Sequence, residues 1–306
     1  MGQSDKVMKD GVSVCITAYQ AQEFIKECLD SVLRQTWFRK HDDWEIIVGI
    51  DGCQKTLDYM KTIMHYYKNL RVLMMDSNKG TYITSNTIIS QATYDNIFRF
   101  DSDDIMCENL VETIMNKKES NCLIRYYFKN FGANSKVGKG HGTIYIKKSI
   151  FMKYGGFRSW PCGADTEIYC RLSNVESVKQ FNDVLMFRRV HNNSLTQRTD
   201  TGMKSELRKQ YQQKIKEMKI NTVKDAINNM ETNTYQVVES PYEGTVDKDE
   251  YMKNLNVSKH IPKELQIPES PKIRVTAIAQ LRDDIAAGKV VKVHTSHGYV
   301  WKRIRK

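Results

Sequence analysis

The chain has 306 residues, 40% hydrophobic and 27% charged, a balance that suits one large globular domain with an appendage and excludes wholesale disorder. No apolar run approaches the roughly 20 residues that cross a bilayer, residues 1–6 lack the apolar core of a secretory leader, and seven scattered cysteines form no Cys-x-x-Cys pair. A cytoplasmic protein with reduced thiols, at most peripheral to the cytosolic membrane face, is therefore expected. The net charge of +11 favours phosphate-bearing partners such as nucleotides, nucleic acid or an anionic membrane surface, without choosing among them.

Residues 11–19 read as a buried strand ending in a small-residue turn, and residues 23–35 place Phe24, Ile25, Cys28, Leu29, Val32 and Leu33 at helical spacing. A second strand at 44–50 closes on Asp51-Gly52. A helix at 55–67, a third strand at 71–75 and a helix at 81–91 follow, and the strand at 96–101 comes next. Strands alternating with helices imply right-handed crossovers and a mostly parallel sheet covered on both faces. Ligands of such sheets sit beyond the carboxyl ends of the strands, where the strand order reverses. Thr17, Asp51, Asn78 and Asp101 all lie just past strand ends, so they are expected to line one crevice.

Asp101-Ser102-Asp103-Asp104 puts three carboxylates within four residues. Like charges this close repel one another, a cost that a bound cation removes, and short oxygen ligands suit Mg2+ or Mn2+. The alternative is a solvated turn in which Asp103 or Asp104 caps a helix starting near Met106.

Further along, residues 142–146 read as a strand and 148–154 as a short helix ending at Gly155-Gly156-Phe157. Asp165 and Glu167 then stand at the start of a helical stretch, where acidic residues also serve simply as helix-terminal charges. Residues 201–232 read as one or two amphipathic helices closing over the core. Residues 233–272, with four of the five prolines, read as a linker or wrapping arm. Residues 273–306 form a small basic unit, with a helix from Thr276 to Ala287 and a hairpin turning at His297-Gly298. Its Lys302-Arg303-Ile304-Arg305-Lys306 end, beside Trp301, leaves nucleic acid, an anionic membrane and plain solvent all open as surroundings.

Residues 12–19, the helix through Ser31-Val32-Leu33-Arg34-Gln35-Thr36, the strand 45–52, Asn78-Lys79-Gly80 with Asn86 behind it, and the acidic Asp101-Ser102-Asp103-Asp104 fall in the order seen in family 2 glycosyltransferases. The resemblance covers roughly the first two thirds of the chain. It implies a GT-A type α/β fold over residues 1–200: a mostly parallel nucleotide-binding sheet flanked by helices, a mixed-strand acceptor half, and a C-terminal helical and hairpin extension. It further implies a metal-dependent, inverting transfer of sugar from a nucleotide sugar, most simply UDP-linked, to a hydroxyl of a glycan or glycoconjugate. A glycosyltransferase acting on modified bases of nucleic acid, or an inactive glycan- or nucleic-acid-binding member, is the alternative.

By the same resemblance Thr17, Ala18 and Tyr19 pack against the base, Asp51 accepts its ring N–H, and Asp101 and Lys79 contact the nucleotide. Asp103 coordinates Mn2+ or Mg2+, with His191 as a further ligand or a donor to the diphosphate and Arg188 or Arg189 assisting. Asp104 supports the ligand or caps a helix. Asp165 is the expected base, with Glu167 second. Two positions depart from the family pattern: Ser85 stands where an arginine is usual, and Ala164 where a glutamate precedes the catalytic aspartate. Either Lys79 or Arg99 supplies the missing cation from nearby, or the nucleotide preference differs from the family's.

Overall fold

The computed structural model describes residues 9–132, 136–140, 142–192 and 194–239, and the two strands of a C-terminal hairpin, 290–295 and 298–303. The first half alternates as the sequence predicts: β1 (Lys9–Ala18), α1 (Ile25–Leu33), β2 (Trp44–Ile50), α2 (Gln54–Ile63), β3 (Leu70–Met75), α3 (Thr81–Ser90) and β4 (Tyr94–Asp101). The second half comprises β5 (Ile105–Met106), α4 (Leu110–Lys117), β6 (Leu123–Gly132), β7 (Val137–Lys139), β8 (Ile144–Lys147), α5 (Lys148–Lys153), α6 (Ala164–Leu172), β9 (Val178–Val190), α7 (Glu206–Glu217) and β10 (Tyr235–Val238).

Side chains alternate across a strand, so a strand that is apolar at every position must be covered on both faces. Val12, Val14 and Ile16 of β1 and Phe98 and Phe100 of β4 pack with α1, α2 and α4 on one side. Cys15 and Ile97 pack with α3, α5 and α6 on the other. The sheet runs β10-β3-β2-β1-β4-β8-β6-β9-β5, with β7 beside β6. From β3 to β4 the pairing is parallel, and β4–β8, β8–β6 and β9–β5 are antiparallel. The order therefore reverses at β1, where Thr17 lies opposite Asp101 in register. A crevice is expected at that point in any parallel α/β sheet.

Several expectations need correction. The acidic loop does not cap a helix near Met106. Residues 105–106 form β5, which pairs with β9, and α4 begins only at Leu110. Residues 201–232 hold one helix, α7, within the expected one or two, and their remainder is stitched into the main unit by backbone contacts. Arg171 Nη1 donates to the Ala226 carbonyl at 3.0 Å, and Gly155, at φ +76, lies so close to Asn228 that a Cβ would fall 1.7 Å from its carbonyl oxygen. The expected linker opens with β10, an edge strand antiparallel to β3. Accordingly residues 201–239 belong to one unit with the sheet, Met1–Lys259, and the rest falls in a second, His260–Lys306.

Residues 240–272 of the expected arm and the expected helix at 276–287 lie outside the described residues. In the second unit β11 (Val290–Thr295) pairs antiparallel with β12 (Gly298–Arg303). Gly298 already pairs with Thr295, so it belongs to a strand rather than to the turn. Among the described residues no helix is long and apolar enough to cross a membrane.

α6 is anchored by a buried ion pair. The side chains of Glu167 and Arg171 are both 0% exposed, with Arg171 Nε 2.8 Å from Glu167 Oε1. Arg171 also donates to the carbonyls of Tyr154 at 2.8 Å and Gly156 at 2.6 Å. Removing Arg171 leaves the buried Glu167 carboxylate out of reach of water with only the partly exposed Arg158 as counter-charge, and frees the carbonyls that Arg171 satisfied. Arg171→Ala is therefore expected to lower the folding free energy by about 3–5 kcal/mol, read as a fall in the urea midpoint.

Candidate active site

The crevice floor is built around Arg99. Residues 97, 99 and 101 share the face of β4 that looks toward α3, so a charged side chain at 99 enters the interior beside Asp101. Its guanidinium is fully buried, and its five N–H groups reach five acceptors. Nε donates to Ser85 Oγ at 3.2 Å. Nη1 donates to the Gly142 carbonyl at 2.7 Å and pairs with Asp101 Oδ1 at 2.6 Å. Nη2 donates to Thr17 Oγ1 at 3.1 Å and Thr81 Oγ1 at 2.6 Å. Arg99 of β4 thus bonds directly to Ser85, the position on α3 where the family pattern has an arginine. Lys79, the other expected cation, lies at the entry to α3. Its ammonium lies 3.9 Å from the Glu231 carboxylate, and its backbone N–H goes to Asp51.

Asp51 is buried and accepts from Lys79 N, Gly80 N and Thr84 Oγ1, each at 2.9 Å. It therefore shapes the loop entering α3 as well as lying at the crevice. Thr17 and Ala18 are buried at the end of β1, and Tyr19 stands at the lip, 47% exposed.

The acidic loop is folded by β9. The β5–β9 pairing brings the end of β9 alongside it, and Arg189 donates its backbone N–H to Asp104 Oδ1 at 2.9 Å and its Nε to the Asp103 carbonyl at 3.1 Å. Arg189 also pairs with Glu27 of α1. Arg188 turns elsewhere, to Asn130 Oδ1 at 3.0 Å. Asp104 is hence buried and structural. Burial, followed by the charges of Asp103 and Asp101, holds its carboxyl well above the usual carboxylate range. Asp101 is also pushed up by burial. Arg99 opposes that shift, while Asp103 and Asp165 add to it.

Just past β9, His191 Nε2 lies 3.0 Å from Asp103 Oδ2, both side chains partly open to solvent. A carboxylate and an imidazole in contact make an incomplete donor set. No third His, Cys, Asp or Glu among the described residues completes it. That chemistry fits a divalent ion shared with a ligand's phosphate oxygens and water, as Mg2+ and Mn2+ are commonly held, better than an all-protein cage.

α6 presents its two acids differently. Residues two apart on a helix do not face the same way. Glu167 is spent on Arg171 and on Arg158 Nε at 2.8 Å, and so is withdrawn from the crevice where it was expected as a second base. Asp165 points into the crevice: its Oδ2 lies 3.8 Å, and Asp101 Oδ2 3.4 Å, from where a Cβ on Gly142 would stand. Two participants went unread in the sequence. Gly142 carries no local signal, and Tyr82, bonded to Asp165, sits on a helix buried from Tyr82 to Ile89, whose uniform burial erases periodicity. Arg99 was legible in part, as a charge two residues before Asp101 in an otherwise apolar strand.

A parallel β3-β2-β1-β4 half with an acidic loop at its reversal point, joined to a mixed half that returns a histidine to that loop, defines the GT-A fold of glycosyltransferases. Solved structures share it. Staphylococcus aureus TarS 1-349 in complex with UDP matches with a TM-score of 0.51 at 16% identity, over 60% of this chain and 61% of that one. The mannosyltransferase PcManGT from Pyrobaculum calidifontis, in complex with GDP-Man and Mn2+, matches with a TM-score of 0.52 at 15% identity, over 92% of this chain and 77% of that one. Residues 13–171, just over half of the chain, match the family model described as Glycosyl transferase family 2, and the chain belongs to that family.

Glycosyltransferase GlyG of Streptococcus pneumoniae serotype 4 is 29% identical over 148 residues, 47% of this chain and 46% of that protein. Chondroitin synthase of Escherichia coli is 24% identical over 204 residues, 59% of this chain and 29% of that protein. The chain thus spans less than half the length of either relative.

An ammonium offers three donors on a flexible stem where the guanidinium of Arg99 serves five acceptors. Arg99→Lys is therefore expected to cost about 2 kcal/mol or more of folding free energy, measured by chemical denaturation.

Proposed function

We propose that the chain transfers a sugar from a nucleotide sugar, UDP-linked in the simplest reading, to a hydroxyl of a glycan or glycoconjugate, with inversion at the anomeric carbon. The observation that carries this reading is the convergence of Asp101, Arg99 and Asp165 on the space beside Gly142. These residues come from one strand, β4, and one helix, α6, at the reversal point of the sheet. Family membership supports it, as do the UDP and GDP-Man held by the structures that share the fold.

Asp165 is the general base. As the acceptor oxygen attacks the anomeric carbon, its proton passes to the carboxylate. The bond from that carbon to the diphosphate oxygen breaks, with the electron pair leaving on the diphosphate. With Glu167 locked to Arg171 and Arg158, one carboxylate serves the acceptor face, which favours a single displacement over a two-step route through a covalent intermediate. Asp103 and His191 would hold the Mn2+ or Mg2+ ion. When bound, that ion supplies positive charge to the departing diphosphate. Arg99 holds Asp101 in place beneath the nucleotide, and Tyr19 offers an exposed ring at the lip for the base.

Asp165→Asn is expected to leave nucleotide-sugar affinity intact, measured by calorimetry, while cutting nucleotide release by about 10²–10⁴-fold. Equal loss of both would give Asp165 another role. Asp103→Asn, or chelation with EDTA, is expected to abolish the thermal shift that Mn2+ and UDP together produce on the wild-type chain. A full shift in the absence of divalent ions would contradict the metal-dependent reading.

A further inference from the structure

Asp165 stands in the first turn of α6, where the leading N–H groups of a helix ordinarily draw a short carboxylate back onto the backbone. The residue before α6, Gly163, has no side chain to satisfy them, and no side-chain cap closes this helix. Yet Asp165 Oδ1 is held from outside its own helix. The Tyr82 hydroxyl of α3 donates to it at 2.9 Å and accepts from Gly163 N at 3.2 Å. One phenol oxygen therefore spans the gap between α3 and α6, and the bond it accepts fixes the direction of the bond it donates. The ring has little room to move, being buried and packed at 5.4 Å from Phe157, which in turn meets Phe151 at 5.3 Å.

We infer that Tyr82 is a positioning residue for Asp165. Its hydroxyl holds Oδ1 against α3, so that Oδ2 is turned to the space beside Gly142, where the acceptor hydroxyl must arrive. The inference rests on the reading of Asp165 as the base. Burial and the neighbouring Asp165 charge push the Tyr82 phenol well above its ordinary value, which keeps it a donor wherever the carboxylate is charged. α3 thereby serves both acids of the crevice, Asp101 through Thr81, Ser85 and Arg99, and Asp165 through Tyr82.

The test uses the full chain with Mn2+ and a panel of nucleotide sugars that includes UDP-GlcNAc and GDP-mannose, with water and simple sugars as acceptors. Nucleotide release gives kcat and KM, calorimetry gives donor affinity, and thermal melting reports the fold. Tyr82→Phe keeps the ring and removes only the hydroxyl. It is expected to lower kcat by about 10–100-fold with donor KM, donor affinity and Tm near wild type. In an Asp165→Asn background the same change is expected to leave the slow residual release unaltered.

Wild-type kcat in Tyr82→Phe overturns the inference. So does a parallel loss of donor affinity, a further drop on the Asp165→Asn background, or a collapse of cooperative melting, since the hydroxyl would then shape the donor pocket or the fold. Failure of the underlying reading looks different: either the wild type releases nucleotide from no donor in the panel, or Asp165→Asn alone keeps full turnover.

Discussion

A guanidinium buried among five acceptors is the constraint from which the site follows. Arg99 takes one acceptor from the end of β1, two from α3, one from the turn entering β8 and one from the end of its own strand. Leaving any donor unmet in that interior would cost more than the bond itself contributes, so the four segments hold one another in register. A buried charge of this kind is weak evidence for stability on its own, and its value here is geometric. It fixes the distance between the helix that carries Tyr82 and the strand that ends in Asp101.

Around that cation the protein collects negative charge. Asp101, Asp103, Asp104 and Asp165 approach one another from two elements, and burial raises Asp101 and Asp104. The fold separates their duties by hydrogen bonding rather than by distance. Asp104 is engaged by the backbone of β9, Asp101 by Arg99, Asp165 by Tyr82, and Asp103 is left facing His191. In that last pairing both side chains are partly open to solvent.

Much of this architecture was legible in residue order because the parallel half is buried on both faces, which forces apolar runs such as 44–50 to declare themselves. The mixed half was harder to read. β9 carries Lys179, Gln180, Asn182 and Asp183 along one length and two arginines near its end, so neither composition nor alternation marks it as a long strand. The acidic loop was recognised, but which of its carboxylates is structural depends on an arginine far along the chain. Asp165 was expected ahead of Glu167 from the resemblance alone. Their fates diverge because Arg171 lies one turn beyond Glu167 and Tyr82 lies across from Asp165. The sequence showed a missing arginine at position 85 and a charge at position 99. Only the fold shows that the two places touch.

The antiparallel addition of β10 to the edge of β3 has a consequence for how the chain comes into being. Asn233 bonds through its backbone to Thr87, 146 residues earlier, and β10 then completes the edge. At ordinary rates of translation that interval lasts on the order of ten seconds. Throughout it, β3 presents unpaired backbone groups to the surroundings of the ribosome, the kind of edge that invites pairing with other chains. The sheet's apolar heart can collapse early, from neighbouring segments. Its border at β3 is sealed only when a strand made much later arrives, so the early part of the sheet depends for its protection on a late part of the same unit.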